Sequence, residues 1–242
     1  MKRYLLALAA LVLLIACNKN EDEGANLHIT GNIKGLRQGK LYIQQFVDTS
    51  LVVLDTIIID GNPAFESHLN IESPEMLYLF LDRGQTNSVD NSLPFFAEPG
   101  NTRIETTNER FFVNAKITGS ENHKIYEDFI KIKTRFMGTN ADLKAKSLEA
   151  TMSGNVKQLD SIAEASDNLL KKRYLYTVNF ALNNAKKEVG PYLALSEIPD
   201  ANVKYLDTIA KAMTPEVAKS KYGKMLKDYI AERKQAETAE VK

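Results

Sequence analysis

The sequence predicts an α+β protein: an N-terminal antiparallel β-sandwich or barrel-like domain followed by an α-helical domain. Two observations carry that expectation. From Asn26 to about Thr118 apolar residues recur with a period of two, and beyond Ser120 they recur at helical spacing. A third feature stands ahead of both, a short apolar run next to Lys2 and Arg3 that belongs to neither pattern. The expected organisation is a signal peptide (1–16), a cysteine with a flexible tether (17–25), a β domain (26–118), a helical domain (119–231) and a charged tail (232–242).

Residues 4–16 are apolar, but the run is shorter than the roughly 20 residues a bilayer-spanning helix needs, and its basic flank suits a signal peptide. Leu14-Ile15-Ala16-Cys17 resembles the lipobox of bacterial lipoproteins, with cleavage between Ala16 and Cys17 and a diacylglyceryl group on the Cys17 thiol. The alternative is an ordinary secretory signal that happens to contain a cysteine. Cys17 is the only cysteine of the chain, so no disulfide or C-x-x-C pair is available once its sulfur becomes a thioether. Each buried CH₂ contributes about 0.8 kcal/mol, and the two or three chains of such an anchor hold a protein on its membrane. The expected location is the cell envelope, lipid-anchored to the outer membrane on its periplasmic side or at the cell surface.

The polar stretch after Cys17 reads as a flexible tether. Its Glu21-Asp22-Glu23 run has two readings, a solvated linker or the acidic signal for surface export found in Bacteroidetes-type lipoproteins. The β pattern follows. Leu27, Ile29, Gly31 and Ile33 alternate with polar neighbours, and Leu41 and Ile43 alternate with Tyr42 and Gln44. Between them residues 35–39, with glycine at both ends, read as a hairpin connection. A β-branched strand covers 51–60, and the turn at Asp60-Gly61-Asn62-Pro63 leads to a strand with Phe65, Ser67 and Leu69 on one side. Further strands are predicted at 76–81, 93–98, 102–107 and 111–118, with turns at Arg83-Gly84 and Pro99-Gly100. Many short strands with regular turns point to a sandwich or barrel.

Ser120 opens the helical part as an N-cap, with Glu121 at the positive end of the helix. Ile125, Phe129, Ile132 and Phe136 form its first stripe. A second helix runs from about Val156 to Asn183, carrying Leu159, Ile162, Leu169, Tyr174 and Val178. Gly190-Pro191 breaks the chain before residues 192–198, a further helix covers 201–213, and Thr214-Pro215 starts the last one with Tyr222, Met225, Leu226 and Tyr229 as its stripe. The tail after Ala231 has no apolar stripe and reads as disordered or as a frayed extension.

These motifs in order, "ITGNIKGLRQGKLYI", "LDTIIIDGNPAFE", "PFFAEPGNTRIE" and "ITGSENHKIYEDF", resemble domain of unknown function 4369 over roughly residues 26–130. The resemblance continues more loosely through "VGPYLALSEI" and "SKYGKMLKDYI". It implies an N-terminal part of Bacteroidetes envelope proteins that are similar to thiol–disulfide oxidoreductases. In that family the last helix commonly precedes a thioredoxin-like domain with the redox cysteines. Here the sequence ends within about a dozen residues of it, so the expectation is a member without that domain, whose redox chemistry transfers to no residue of this chain.

Composition excludes little else. Lys plus Arg and Asp plus Glu both count 31, and losing Lys2 and Arg3 leaves about −2, so no field favours nucleic acid. His28, His68 and His123 stand at no metal-ligand spacing; the first two read as surface or half-buried and His123, in a first helical turn, as solvated. Asp55 and Asp60 point to opposite faces of a strand, although carboxylates from different strands could still pair. Of the aromatics at 95–96, 111–112, 78 and 80, core packing is expected for one of each adjacent pair and exposure for the other. No catalytic residue, cofactor or metal site is expected. The functional expectation is a non-catalytic, membrane-anchored binding or assembly module with an unidentified envelope protein partner. The alternative is an accessory to thiol–disulfide redox or stress chemistry, acting in trans with a separate thioredoxin-like protein.

Overall fold

The computed structural model describes residues 24–47, 49–84 and 88–240. Cys17, Ala16 and the Glu21-Asp22-Glu23 run lie outside the described residues. Eight strands come first: β1 (Leu27–Lys34), β2 (Gln38–Val47), β3 (Ser50–Asp60), β4 (Ala64–Leu69), β5 (Glu75–Asp82), β6 (Ser92–Ala97), β7 (Gly100–Thr107) and β8 (Lys116–Thr118). Five α-helices follow: α1 (Glu121–Met152), α2 (Val156–Asn183), α3 (Val189–Glu197), α4 (Val203–Ala212) and α5 (Lys221–Glu240). The α+β class is the one the sequence predicts.

The strands make two four-stranded sheets, ordered β4-β1-β7-β8 and β3-β2-β5-β6. Period-two alternation sends Leu27, Ile29 and Ile33 of one sheet against Leu41, Ile43, Leu77, Leu79 and Leu81 of the other, and these residues form one buried core. Gly31 continues the inward row because a Cβ there would lie 2.3 Å from the Phe65 ring and 2.4 Å from the Ile104 carbonyl. All neighbouring strands are antiparallel except β1 and β7, which run parallel.

Residues 35–39 do not close a hairpin, because β1 and β2 belong to different sheets. The connection arches over the end of the sandwich and drops Leu36 into the core, with Gly35 at φ +88° to turn it. A buried leucine at the centre distinguishes this arch from a solvated hairpin tip. The 60–63 turn crosses in the opposite sense, and the two are tied by Gly61 N–H to the Arg37 carbonyl at 2.7 Å. The predicted strand at 111–118 shrinks to Lys116–Thr118. The Asp90 carboxylate takes the amides of Phe111 (3.1 Å) and Phe112 (3.0 Å), which removes both from any ladder.

The helices stack on the outer face of the second sheet. Met76 and Phe96 of that face join Phe129, Val178, Leu193, Leu206 and Leu226 in a second core. Adjacent Phe95 and Phe96 are therefore both buried, one in each core, where the sequence predicted one exposed. Ser120 caps α1, its hydroxyl accepting the His123 amide at 2.9 Å. Glu98 at the end of β6 adds a second cap, accepting the Glu121 amide at 2.6 Å and the Asn122 side chain at 2.8 Å. Gly119 is confined to glycine, since its φ is +99° and a Cβ would lie 1.8 Å from the Asn101 carbonyl.

Three helical expectations change in detail. Gly190 and Pro191 sit inside the first turn of α3 rather than before it, where a side chain at 190 would meet the Asn184 carbonyl. Thr214-Pro215 leads into a short 3₁₀ turn, Val217–Lys219, and the last helix starts at Lys221. The residues after Ala231 continue α5 to Glu240. They are held by polar contacts, Arg233 to the Pro199 carbonyl and Lys234 to Asp207, each at 2.8 Å. Among the described residues no helix is long and apolar enough to cross a membrane.

Candidate functional site

The start of α5 is pinned to the start of β5, and a wide cleft opens there. Ser220 accepts the Gly223 amide at 3.3 Å, and Gly223 must be glycine because a Cβ would lie 1.9 Å from the Val217 carbonyl. This tight turn brings Lys221 and Tyr222 onto the sheet. The Lys221 amide donates to the Ser73 hydroxyl at 3.1 Å, and the Met76 amide donates to the Tyr222 hydroxyl at 3.0 Å. Lys221 Nζ pairs with the Glu75 carboxylate, which is 6% exposed and also accepts Gln45 Nε2 at 2.5 Å. A buried carboxylate is costly unless paired and hydrogen-bonded; Glu75 has both.

Beside this pair stands an aromatic cluster. Tyr192 of α3 meets Tyr222 at 5.0 Å, Phe96 at 5.6 Å and Tyr126 at 6.1 Å between ring centres, mostly edge to face. Phe46 packs edge-on against Tyr78 at 5.2 Å. Burial pushes the Tyr126 phenol up to about 12 and raises those of Tyr192, Tyr222 and Tyr78 as well. All four phenols stay protonated near neutrality and can donate hydrogen bonds. The cleft over Tyr78, Tyr192 and Tyr222 has a volume of about 1100 Å³ and is bordered by Phe46, Val47, Lys219, Lys224, Met225 and Asp228. Met225, predicted as core, is 48% exposed; it falls at the edge of the α5 stripe, and Ile230 takes the buried place.

The histidines divide. His28 and His68 are half-buried neighbours on the first sheet, rings 4.8 Å apart. His123 departs from its predicted solvated role: it is 4% exposed, and its Nδ1 accepts the Phe96 amide at 3.2 Å. The helix N-terminus turns its ring toward β6, where the strand's edge amide needs an acceptor. Burial lowers its pKa to about 4. Asp55 accepts the Ser67 hydroxyl at 2.5 Å, while Asp60 is exposed on the opposite face, as their spacing predicts. Phe111 is buried and Phe112 is 47% exposed. Among the described residues no group of three or more His, Cys, Asp or Glu could hold a metal ion.

Sequence reasoning missed the Glu75–Lys221 pair, whose partners lie 146 positions apart. It also missed the tyrosine cluster, drawn from β5, α1, α3 and α5. The available signal was the three adjacent polar and aromatic residues at 220–222, read only as a helix start. No curated protein and no solved structure matches the chain. Residues 27–126 match the model of the family described as Domain of unknown function (DUF4369), so the sandwich and the first turns of α1 form a domain of that family.

Proposed function

We propose that the protein is a non-catalytic lipoprotein of the cell envelope, anchored to the outer membrane through Cys17, and that it binds an envelope protein in the cleft between the second sheet and the helices. The observation that carries the binding site is the cleft of about 1100 Å³ at the seam of two packed layers, the place where binding sites concentrate. Its lining supports binding over chemistry. Glu75 and Lys221 neutralise each other, the phenols are held protonated, and exposed Phe46 and Met225 offer apolar contact beside them. Aromatic and methionine side chains around a satisfied polar centre are the composition of a protein-recognition surface.

The test is recovery of the partner from detergent-solubilised membranes with the full chain and two variants, Met225→Arg and Phe46→Ser. Both positions are exposed, so both variants should fold. Each is expected to reduce recovery about tenfold, the factor that about 1.4 kcal/mol makes. Unchanged recovery with both would place the binding surface elsewhere.

A further inference from the structure

The β2–β3 hairpin carries an apolar end that the described residues leave partly exposed. Val47 of β2 and Leu51, Val52, Val53 and Leu54 of β3 are each 37–47% exposed, whereas Phe46 leans on Tyr78 at the cleft. The pairing explains why. Ile43 stands opposite Asp55 and Gln44 opposite Val53, so Leu54 is an extra residue and the ladder is bulged there. Beyond the bulge, Phe46 lies opposite Leu51 and Gln45 opposite Val52. Consecutive side chains alternate between faces, so this two-stranded end is apolar on both. Contiguous exposed apolar surface of this kind marks an interaction site.

Its place in the fold indicates what covers it. Asn26, where the described chain begins its first strand, is tied to the same end of the sandwich: its side chain donates to the Ile71 carbonyl at 2.8 Å and accepts the Ile71 amide at 3.0 Å. Ile71, Phe46 and Val47 border one cleft. From Cys17 to Asn26 the chain reaches at most about 30 Å even when fully extended. A lipid on Cys17 therefore keeps the start of β1 within about 30 Å of the bilayer, and that is the end of the sandwich that also carries the β2–β3 turn.

We infer that the β2–β3 hairpin end is a second membrane contact, seated in the interface between headgroups and acyl chains. This rests on the lipidation reading of Cys17. A second copy of the chain would cover one face of the ribbon and leave the other exposed, whereas a lipid interface surrounds both. The polar residues Thr49 and Ser50 at the turn keep the ribbon at headgroup depth, and interfacial elements sit only about 5–10 Å deep. With 29 basic against 31 acidic residues once Lys2 and Arg3 are lost, no net positive charge draws the protein to an anionic surface, and the attraction is apolar and insensitive to salt. The contact also sets the cleft beside the membrane plane, where an envelope partner is met.

The chain has no tryptophan, so one introduced indole reports alone. Leu51→Trp and, as control, Ile58→Trp are made in the full chain; Ile58 is 71% exposed on the same strand but away from the hairpin end. Both are reconstituted in phosphatidylethanolamine–phosphatidylglycerol vesicles containing brominated lipid, and the acyl mass on Cys17 is read from the same preparation. The expected result is a blue-shifted indole at 51, quenched several-fold more than at 58 and unchanged by salt. Equal quenching at both positions overturns the inference. So does a blue shift at 51 without quenching that grows with protein density, because that outcome assigns the surface to a second copy. If Cys17 carries no acyl group, the lipidation reading fails by itself; the thiol is then coupled to a maleimide phospholipid and the same comparison of 51 with 58 decides the contact.

Discussion

The two ends of the α1–α2 hairpin share one sequence pattern and have opposite surroundings. At the root, Phe129 is 1% exposed and Val178 and Ala181 are buried, packed among α3, α4, α5 and the sheet residues Met76 and Phe96. At the far end, Leu148, Met152 and Val156 are exposed, and Ala150 is the buried residue of the last turn of α1. Among the described residues, the helices there pack on each other. A period of 3.6 specifies a helix and the side it turns inward, but not how many layers meet that side. Stability should therefore be graded along the hairpin, with the far end opening at lower free energy than the root.

The largest expected break in that comparison is Phe129→Ala, which should cost about 3–5 kcal/mol in denaturant unfolding, against about 0.5 kcal/mol or less for Met152→Ala. Equal effects would mean the far end is packed against something. Next is pH, acting through His123 at the root. Its folded pKa, about 4, lies below the ordinary 6.5, so the unfolded chain binds the extra proton between them. The contribution is fully present above about pH 6.5 and is lost as pH falls toward 4, a loss of about 3 kcal/mol. His123→Asn keeps an acceptor for the Phe96 amide and should flatten this part of the unfolding midpoint-versus-pH curve.

Removing residues 232–242 should lower the thermal midpoint only slightly, since it takes away the exposed bonds from Arg233 to Pro199 and from Lys234 to Asp207. A thermal midpoint unchanged by the truncation would show that those bonds contribute nothing. A small effect is expected at the far end: Gly154, at φ +64°, should lose about 1 kcal/mol on substitution by alanine. Hydrogen exchange should report that loss in the adjoining turns of α1 and α2 and leave the amides around Phe129 unchanged.

What could be read beforehand follows local chemistry. The second helix was legible from end to end because its stripe begins after Asn155, whose side chain caps it by accepting the Gln158 amide. Ser120 was legible for the same reason. The arch at 35–39 was not, because two glycines fit a hairpin and an arch equally, and only the sheet order separates them. The turn at 111–114 was hidden by apolar β-formers whose amides go to Asp90. His123 and the cleft depend on pairs distant in sequence, Phe96 with His123 and Glu75 with Lys221, which no local period encodes. Alternation also left one of Phe95 and Phe96 for a surface, without showing that helices would cover it.

The proposal that this is an envelope lipoprotein stands most directly on Cys17. The intact mass of the protein extracted from membranes tests it. The expected species begins at Cys17, with a diacylglyceryl thioether on its sulfur, and loses the lipid mass in Cys17→Ser. A chain that begins at any other residue, or one that carries Cys17 as a free thiol, would contradict it.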